Sequence, residues 1–282
     1  MKKNFNPIIQ VEDDNFEIPL VREWSLEKYQ LIGGYCDIFT KGMKSKWDQL
    51  IYIDLFSSSG YAKIKETEQI VLSSPLIAAS IPNKFNKYIF CEKEPNLYSS
   101  LQKRLDRDFS HICYSLHQGD CNILIDDIKR DIPKYSKENR VLSFCFVDPF
   151  DLSINFNTIQ CLAKDLVDFI ILQALHMDGN RNFKNYMNEN NEKIGRYIGQ
   201  PNWRDIWDSK RFAPQDFVLF LAEEYDKMML NLGYLNAHRH QIKLKSNNVP
   251  LYYLTFYSKH PRGVDFYKKV ENYVNDQFEL GM

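Results

Sequence analysis

Four acids stand at or just past the ends of four β-prone runs: Asp54, Glu92, Asp120 and Asp148. Asp54 lies in the run Leu50-Ile51-Tyr52-Ile53-Asp54-Leu55 and is followed by Phe56 and then by Ser57, Ser58, Ser59 and Gly60. Small side chains let a backbone approach a ligand closely, and Gly60 can adopt a positive φ at no steric cost. Glu92 follows the apolar run 87–91, Asp120 follows 111–117, and Asp148 opens Asp148-Pro149-Phe150 after 141–147. In an open α/β sheet ligands sit beyond the carboxyl ends of the strands. Four carboxylates and a small-residue turn in those places would converge on one cleft. The alternative for each acid alone is a solvated loop residue or a helix cap, Asp120 in particular capping the helix that follows it.

The elements that must position these groups can be read from periodicity. Residues 26–39 repeat apolar positions at helical spacing, with Ser25 as the expected N-cap. Strands are expected at 50–55, 87–91, 111–117, 141–147 and 167–172, and helices at 76–80, 96–105, 123–132 and 157–164. Ser73-Ser74-Pro75 is a start signal for the first of these helices. Strands alternating with helices imply right-handed crossovers and a parallel sheet buried on both faces. Residues 1–21 read as an irregular leader and 63–69 as a polar excursion. Residues 178–212 are rich in Asn and carry Trp203 and Trp207, so this stretch reads as an irregular insertion, either a lid or partner surface or an inert excursion. A helix at 214–232 ends at Gly233. Alternating strands at 238–245 and 251–257, joined by a turn at 246–250, form an antiparallel hairpin, and a helix at 264–278 closes the chain. The expectation is one domain over 1–282, with an N-terminal helical extension at 1–47 and an insertion at 178–212.

Composition narrows the function classes. A net charge of -1 on 282 residues offers no global basic field for nucleic acid, and charged residues at 26% are ordinary for a globular protein. No run of about 18 apolar residues predicts a membrane span. The polar start Met1-Lys2-Lys3-Asn4 is unlike a signal peptide, and a cytoplasmic protein is expected. The 6 cysteines lack Cys-x-x-Cys pairs, which argues against a finger-type zinc site and for buried free thiols.

The order of elements, five strand–helix units, a helix and a terminal hairpin, is similar to the class I methyltransferase fold, a Rossmann-like α/β fold with a mostly parallel seven-stranded sheet. That likeness implies S-adenosylmethionine (SAM) as cofactor. Asp54, Phe56, Ser57 and Gly60 would line the cofactor's amino-acid tail, Glu92 would accept the two ribose hydroxyls, and Asp120 would receive the adenine amino group. Asp148, Pro149 and Phe150 would lie beside the methyl group. In amino-group methyltransferases a similar motif holds the acceptor nitrogen and stacks an aromatic on its ring, and a flipped base is one way to present such a group. Here one proline stands where two are usual, and the other reading is a Pro-fixed turn with Phe150 packed inwards. His176 and Asp178 are either acid–base residues or polar loop groups. His238 and His240 read as packing histidines. Lys41, Lys44 and Lys46 read as a solvated helix end. Arg239, Lys243, Lys245, Lys259 and Arg262 are either phosphate contacts or a solvated face.

Several segments together resemble the three-Cys-motif partner family. They are Trp24-Ser25-Leu26-Glu27-Lys28 with Tyr35 and Phe39; Tyr52-Ile53-Asp54-Leu55-Phe56 through Gly60; Ser74-Pro75-Leu76; Phe90-Cys91-Glu92-Lys93; Gly119-Asp120-Cys121-Asn122; Phe146-Val147-Asp148-Pro149-Phe150; and 252–263 with His260-Pro261 and Gly263. The resemblance implies a SAM pocket and a partner protein bearing a three-cysteine motif of the radical-SAM or phage-protein kind. It departs at the first turn, where Ser57-Ser58-Ser59 replaces the usual Ala-Gly-Pro. Three readings follow: a SAM-dependent methyltransferase, a non-catalytic partner module on the same scaffold, or a nucleic-acid enzyme of mobile-element or defence biology.

Overall fold

The computed structural model describes residues 5–179, 181–210, 212–244 and 249–279, with side chains to residue 275. Met1 to Asn4, Lys245 and most of the 246–250 turn therefore lie outside the described residues.

The central sheet has seven strands. They are β2 (Gln49–Asp54), β5 (Lys87–Glu92), β6 (Tyr114–Gln118), β7 (Val141–Val147), β8 (Val167–Gln173), β9 (His238–Leu244) and β10 (Val249–Tyr257). Their spatial order is β6-β5-β2-β7-β8-β10-β9. The first five pair in parallel, and β10 runs antiparallel to both β8 and β9. Ranked along the chain, the order is 3-2-1-4-5-7-6 with the seventh strand reversed. The direction of travel switches between β2 and β7, where an open α/β sheet opens its ligand crevice.

The helices α1 (Ser25–Met43), α2 (Ser74–Ser80), α3 (Pro95–Asp108), α4 (Ile125–Arg130), α5 (Phe156–Leu162), α9 (Phe217–Asn231) and α10 (Pro261–Glu279) cover the sheet. Successive residues on β10 show the two layers, because neighbours in a strand point to opposite faces. Phe256 stacks on Tyr35 of α1 and Tyr267 of α10, at 5.0 and 4.8 Å between ring centres. Tyr257 packs on Tyr225 of α9 at 6.1 Å. Ser25 lies inside α1, whose N-cap position is Trp24 with no side-chain cap.

Two expectations need correction, and a third, the leader, gains a short strand. The stretch 63–69 is not an excursion. It joins β3 (Tyr61–Ile64) to β4 (Ile70–Leu72), an antiparallel pair turning through Glu68 at φ 60. Ile64 and Val71 are fully buried by it. The leader is irregular over residues 5–19 apart from a bridge at Gln10, but it is tied down. Its residues Leu20–Val21 form β1, which pairs in parallel with β3. Val11 N donates to Ile70 O and Leu72 N to Ile9 O, both at 3.0 Å, so the leader is strapped onto the hairpin. The segment after β8 is likewise folded, into a π-helical turn Leu175–Gly179 and helices α6 (Phe183–Tyr186), α7 (Lys193–Ile198) and α8 (Trp203–Ser209). Trp203 and Trp207 are buried and pack on Phe217 and Phe220 of α9, so neither presents a partner surface. The thiols also split: Cys36, Cys91, Cys121 and Cys145 are buried, whereas Cys113 is exposed. Among the described residues no helix is long and apolar enough to cross a membrane.

Candidate functional site

The turn after β2 is built from its own polar groups. Asp54 is fully buried; Tyr52 Oη donates to its Oδ2 at 3.1 Å and Phe56 N to its Oδ1 at 3.2 Å. Burial pushes its carboxyl up to about 7, against the hydrogen bonds of Ser74 and the Phe56 amide. Ser57 Oγ lies 2.9 Å from Asp54 O and accepts Cys91 N–H at 3.0 Å, which staples the ends of β2 and β5 together. Ser59 Oγ donates to Tyr61 O at 3.1 Å. The hydroxyls of Ser57 and Ser59 are thus buried and engaged within the protein, and Ser58, half-buried, is the serine of the three that meets solvent. Ser58 also holds φ 55, a left-handed conformation that a side chain disfavours. Gly60 has φ 87, and a Cβ there would lie 2.7 Å from Leu76 Cδ1 and 3.0 Å from Leu101 Cδ1. Its need for glycine comes from helix packing as well as from the turn.

Sequence reasoning missed what holds this turn from behind. Arg104 of α3 is fully buried. It donates to Ser59 O at 2.7 Å, to Glu17 O at 3.1 Å and, through two nitrogens, to the Asp14 carboxylate at 2.9 and 2.6 Å. Its guanidinium also lies 4.0 Å from the Tyr61 ring centre. Burial would raise the Asp14 carboxyl, but Arg104 and Arg107 hold it below its usual range. The available signal was an arginine beside Leu105 on the apolar stripe of a helix.

Glu92 and Asp120 come together as the strand ends require. Gly119 N donates to Glu92 O at 2.9 Å, joining the ends of β5 and β6. The Glu92 side chain accepts Ser58 N–H at 2.6 Å and Glu94 N–H at 2.8 Å, so it faces the serine turn directly. Burial pushes its carboxyl up, with those amides opposing. Asp120 Oδ1 accepts Asn122 N–H at 2.9 Å, and its Oδ2 lies 3.4 Å from Lys93. Asp120 shapes the turn ahead of α4, but the cap position of that helix is Leu124.

Across β2 from this cluster, Asp148 follows β7. Its Oδ2 accepts the ammonium of Lys28, a largely buried residue of α1, at 2.5 Å. No motif joined these residues, which are 120 positions apart. Phe150 does not pack inwards; it is 92% exposed just beyond Pro149. The buried hydroxyl of Tyr252, raised in pKa by burial and by Asp148, has no hydrogen-bond partner among the described residues. Ser73 Oγ is unpartnered too, and Ser73 N donates to Gly60 O.

Asp178, His176, His240 and Arg239 have partners within the protein. Burial raises the Asp178 carboxyl, but Tyr186, the Leu152 amide, Asn182 and Lys193 outweigh it and hold it low. It pins the segment after β8 to the loop after β7. His176 Nε2 lies 3.3 Å from Tyr253 Oη, and burial lowers its pKa. His240 sits between Glu27 at 2.5 Å and Glu271 at 3.2 Å. Arg239 pairs with Asp226, so it is not a free phosphate contact.

No protein-family model matches the chain, and no curated protein matches it in sequence. Among solved structures it is similar to the O-methyltransferase TomG from Streptomyces achromogenes, solved in complex with SAM, at 11% identity over 79% of this chain and 78% of that one, TM-score 0.44. An O-methyltransferase from Bacillus cereus, solved with SAH, aligns at 10% identity over 80% of each chain, TM-score 0.45. A protein from Legionella pneumophila aligns at 11% identity over 82% of this chain and 84% of that one, TM-score 0.47. The fold assignment itself rests on the strand order. A sheet ordered 3-2-1-4-5-7-6 with a reversed seventh strand is the class I methyltransferase fold.

Proposed function

We propose that this chain is a SAM-dependent methyltransferase of the three-Cys-motif partner type. The observation that carries the reading is the contact between the Glu92 carboxylate and the amide of left-handed Ser58, which puts a ribose-type acid and a tail-type turn at one point of the sheet edge. In this reading Glu92 holds the ribose and Asp120 the adenine amino group. The backbone of 57–60 meets the amino-acid tail, and buried Asp54 fixes that turn rather than touching the cofactor. SAM, when bound, supplies a methyl group already activated on a sulfonium, so the protein's task is alignment more than proton transfer. Asp148, steadied by Lys28, presents its remaining acceptor capacity to a substrate amino group, and the exposed Phe150 ring offers a stacking surface. Both features suit a nucleobase or a similar planar acceptor. A protein with a three-cysteine motif is the expected partner.

Isothermal titration with SAM tests this. Saturable heat with wild type and a loss of roughly 100-fold or more in affinity for Glu92→Ala are expected, since the variant leaves the ribose hydroxyls without their acceptor. No heat with wild type, or unchanged affinity in the variant, would contradict it.

The second reading, a non-catalytic partner module, is favoured by one observation: both Glu92 oxygens already accept protein amides and two of the three serines are buried. A methylated product made by the isolated chain would remove it.

A further inference from the structure

A cavity of about 390 Å³ lies at the opposite edge of the sheet, away from the carboxyl ends. It is enclosed by the end of α1, the starts of β7 and β8, and the junction of β10 with α10. Phe39, Met43, Leu142 and Phe266 give it apolar walls, and Trp47 stands beside them, half-buried. Phe266 reaches α1 because residue 42 is glycine; a Cβ there would collide with its ring. The rim is basic. Lys46 and Arg262 are exposed and have no ion-pair partner among the described residues. Lys259 is anchored, donating to Ala163 O at 2.6 Å with its ammonium 4.9 Å from the Tyr234 ring centre. Asp168 is the acid in the lining, and it is buried, its Oδ2 accepting Tyr35 Oη–H at 2.8 Å. Two unpaired cations, with anchored Lys259 beside them, therefore rim an apolar cleft whose one carboxylate is occupied, and the amino terminus of the 19-residue α10 adds further positive potential.

A concave, mostly apolar cleft of this size with a few convergent charges is the usual form of a small-molecule site. We propose that this cavity is a second ligand site, separate from the strand-end cleft, for a small amphipathic anion: a flat apolar body in the cavity and a phosphate or carboxylate between Lys46 and Arg262. The site needs no SAM and stands whether or not the chain transfers methyl groups. It also gives a use to Lys46 and Arg262, which no ion pair among the described residues holds.

The test uses 1-naphthyl phosphate as probe, titrated calorimetrically into the full chain, with 1-naphthol and inorganic phosphate as its two halves. Saturable binding of 1-naphthyl phosphate is expected, with each half weaker by roughly tenfold or more, and with the Lys46→Glu/Arg262→Glu double variant also roughly tenfold weaker. Both substituted side chains are exposed, so the variant should fold; Leu166→Trp, which fills the cavity from its own wall, is the second test and should also weaken the probe. Absence of saturable binding, 1-naphthol binding as tightly as its phosphate, or affinity unmoved by either variant would overturn the proposal.

Discussion

At the carboxyl ends of β2, β5, β6 and β7 stand Asp54, Glu92, Asp120 and Asp148, whereas at the amino ends of β7 and β8 the charged rim is Lys46, Lys259 and Arg262. The difference is in how the charges are met. Every acid of the first edge has a donor: main-chain amides for Asp54, Glu92 and Asp120, and a lysine for Asp148. Parallel strands feed their carboxyl ends into turns whose amides point outward, and those amides suit carboxylates and anionic ligand groups alike. Of the cations at the other edge, Lys259 donates to Ala163 O and lies over the Tyr234 ring, whereas Lys46 and Arg262 are exposed. One edge is therefore pre-organised by buried pairings, and the other is a preformed hollow at which Lys46 and Arg262 make no ion pair among the described residues.

Three predictions test that contrast, from the largest expected effect downward. Arg104→Met removes the buried cation that joins leader, turn and α3, leaving Ser59 O and Glu17 O without their charged donor and Asp14 with Arg107 alone. Urea denaturation should show a loss of about 3 kcal/mol, since buried acceptors are left unsatisfied and one of two ion pairs is broken. A loss under about 1 kcal/mol would mean the first edge does not depend on this pairing.

His240 comes next. Burial alone would lower its pKa, but Glu27 and Glu271 on either side raise it to about 9. A folded-state pKa above the unfolded value of about 6.5 contributes stability that is complete below pH 6.5 and is lost as pH rises through about 9. Relative to His240→Asn, wild type should hold an advantage on the order of 2–3 kcal/mol at pH 6 that fades by pH 10. A difference independent of pH would mean that the imidazolium is not what binds α1, β9 and α10 together.

Ser58→Gly carries the smallest effect. Relief of the left-handed conformation should stabilise the chain by about 0.5–1 kcal/mol in thermal denaturation. Destabilisation would show that the Ser58 side chain holds something the contacts above do not include.

The sheet was legible in the sequence because β2, β5 and β7 are largely apolar runs that end in or lead into an acid, whereas β6, expected at 111–117, is the more polar Tyr114–Gln118. The candidate cluster was legible for the same reason: Glu92 and Asp120 sit at the same point of adjacent units. Pairings between distant positions were not. Lys28 with Asp148 and Arg104 with Asp14 join residues 120 and 90 positions apart, and neither has a local signature. The leader strand and the 61–72 hairpin were hidden because their strands, two to four residues long, are too short to signal a strand alone; their register exists only in each other's presence. The Asn-rich composition of 178–212 masked helices that bury Trp203 and Trp207.

The most direct test of the central claim is a mass spectrum of the small molecule carried by the purified chain, released by denaturation before and after incubation with SAM. An adenosyl sulfonium or its demethylated product on wild type, absent from Glu92→Ala, is the expected result. A chain that carries neither compound, and retains none after incubation, would contradict the account.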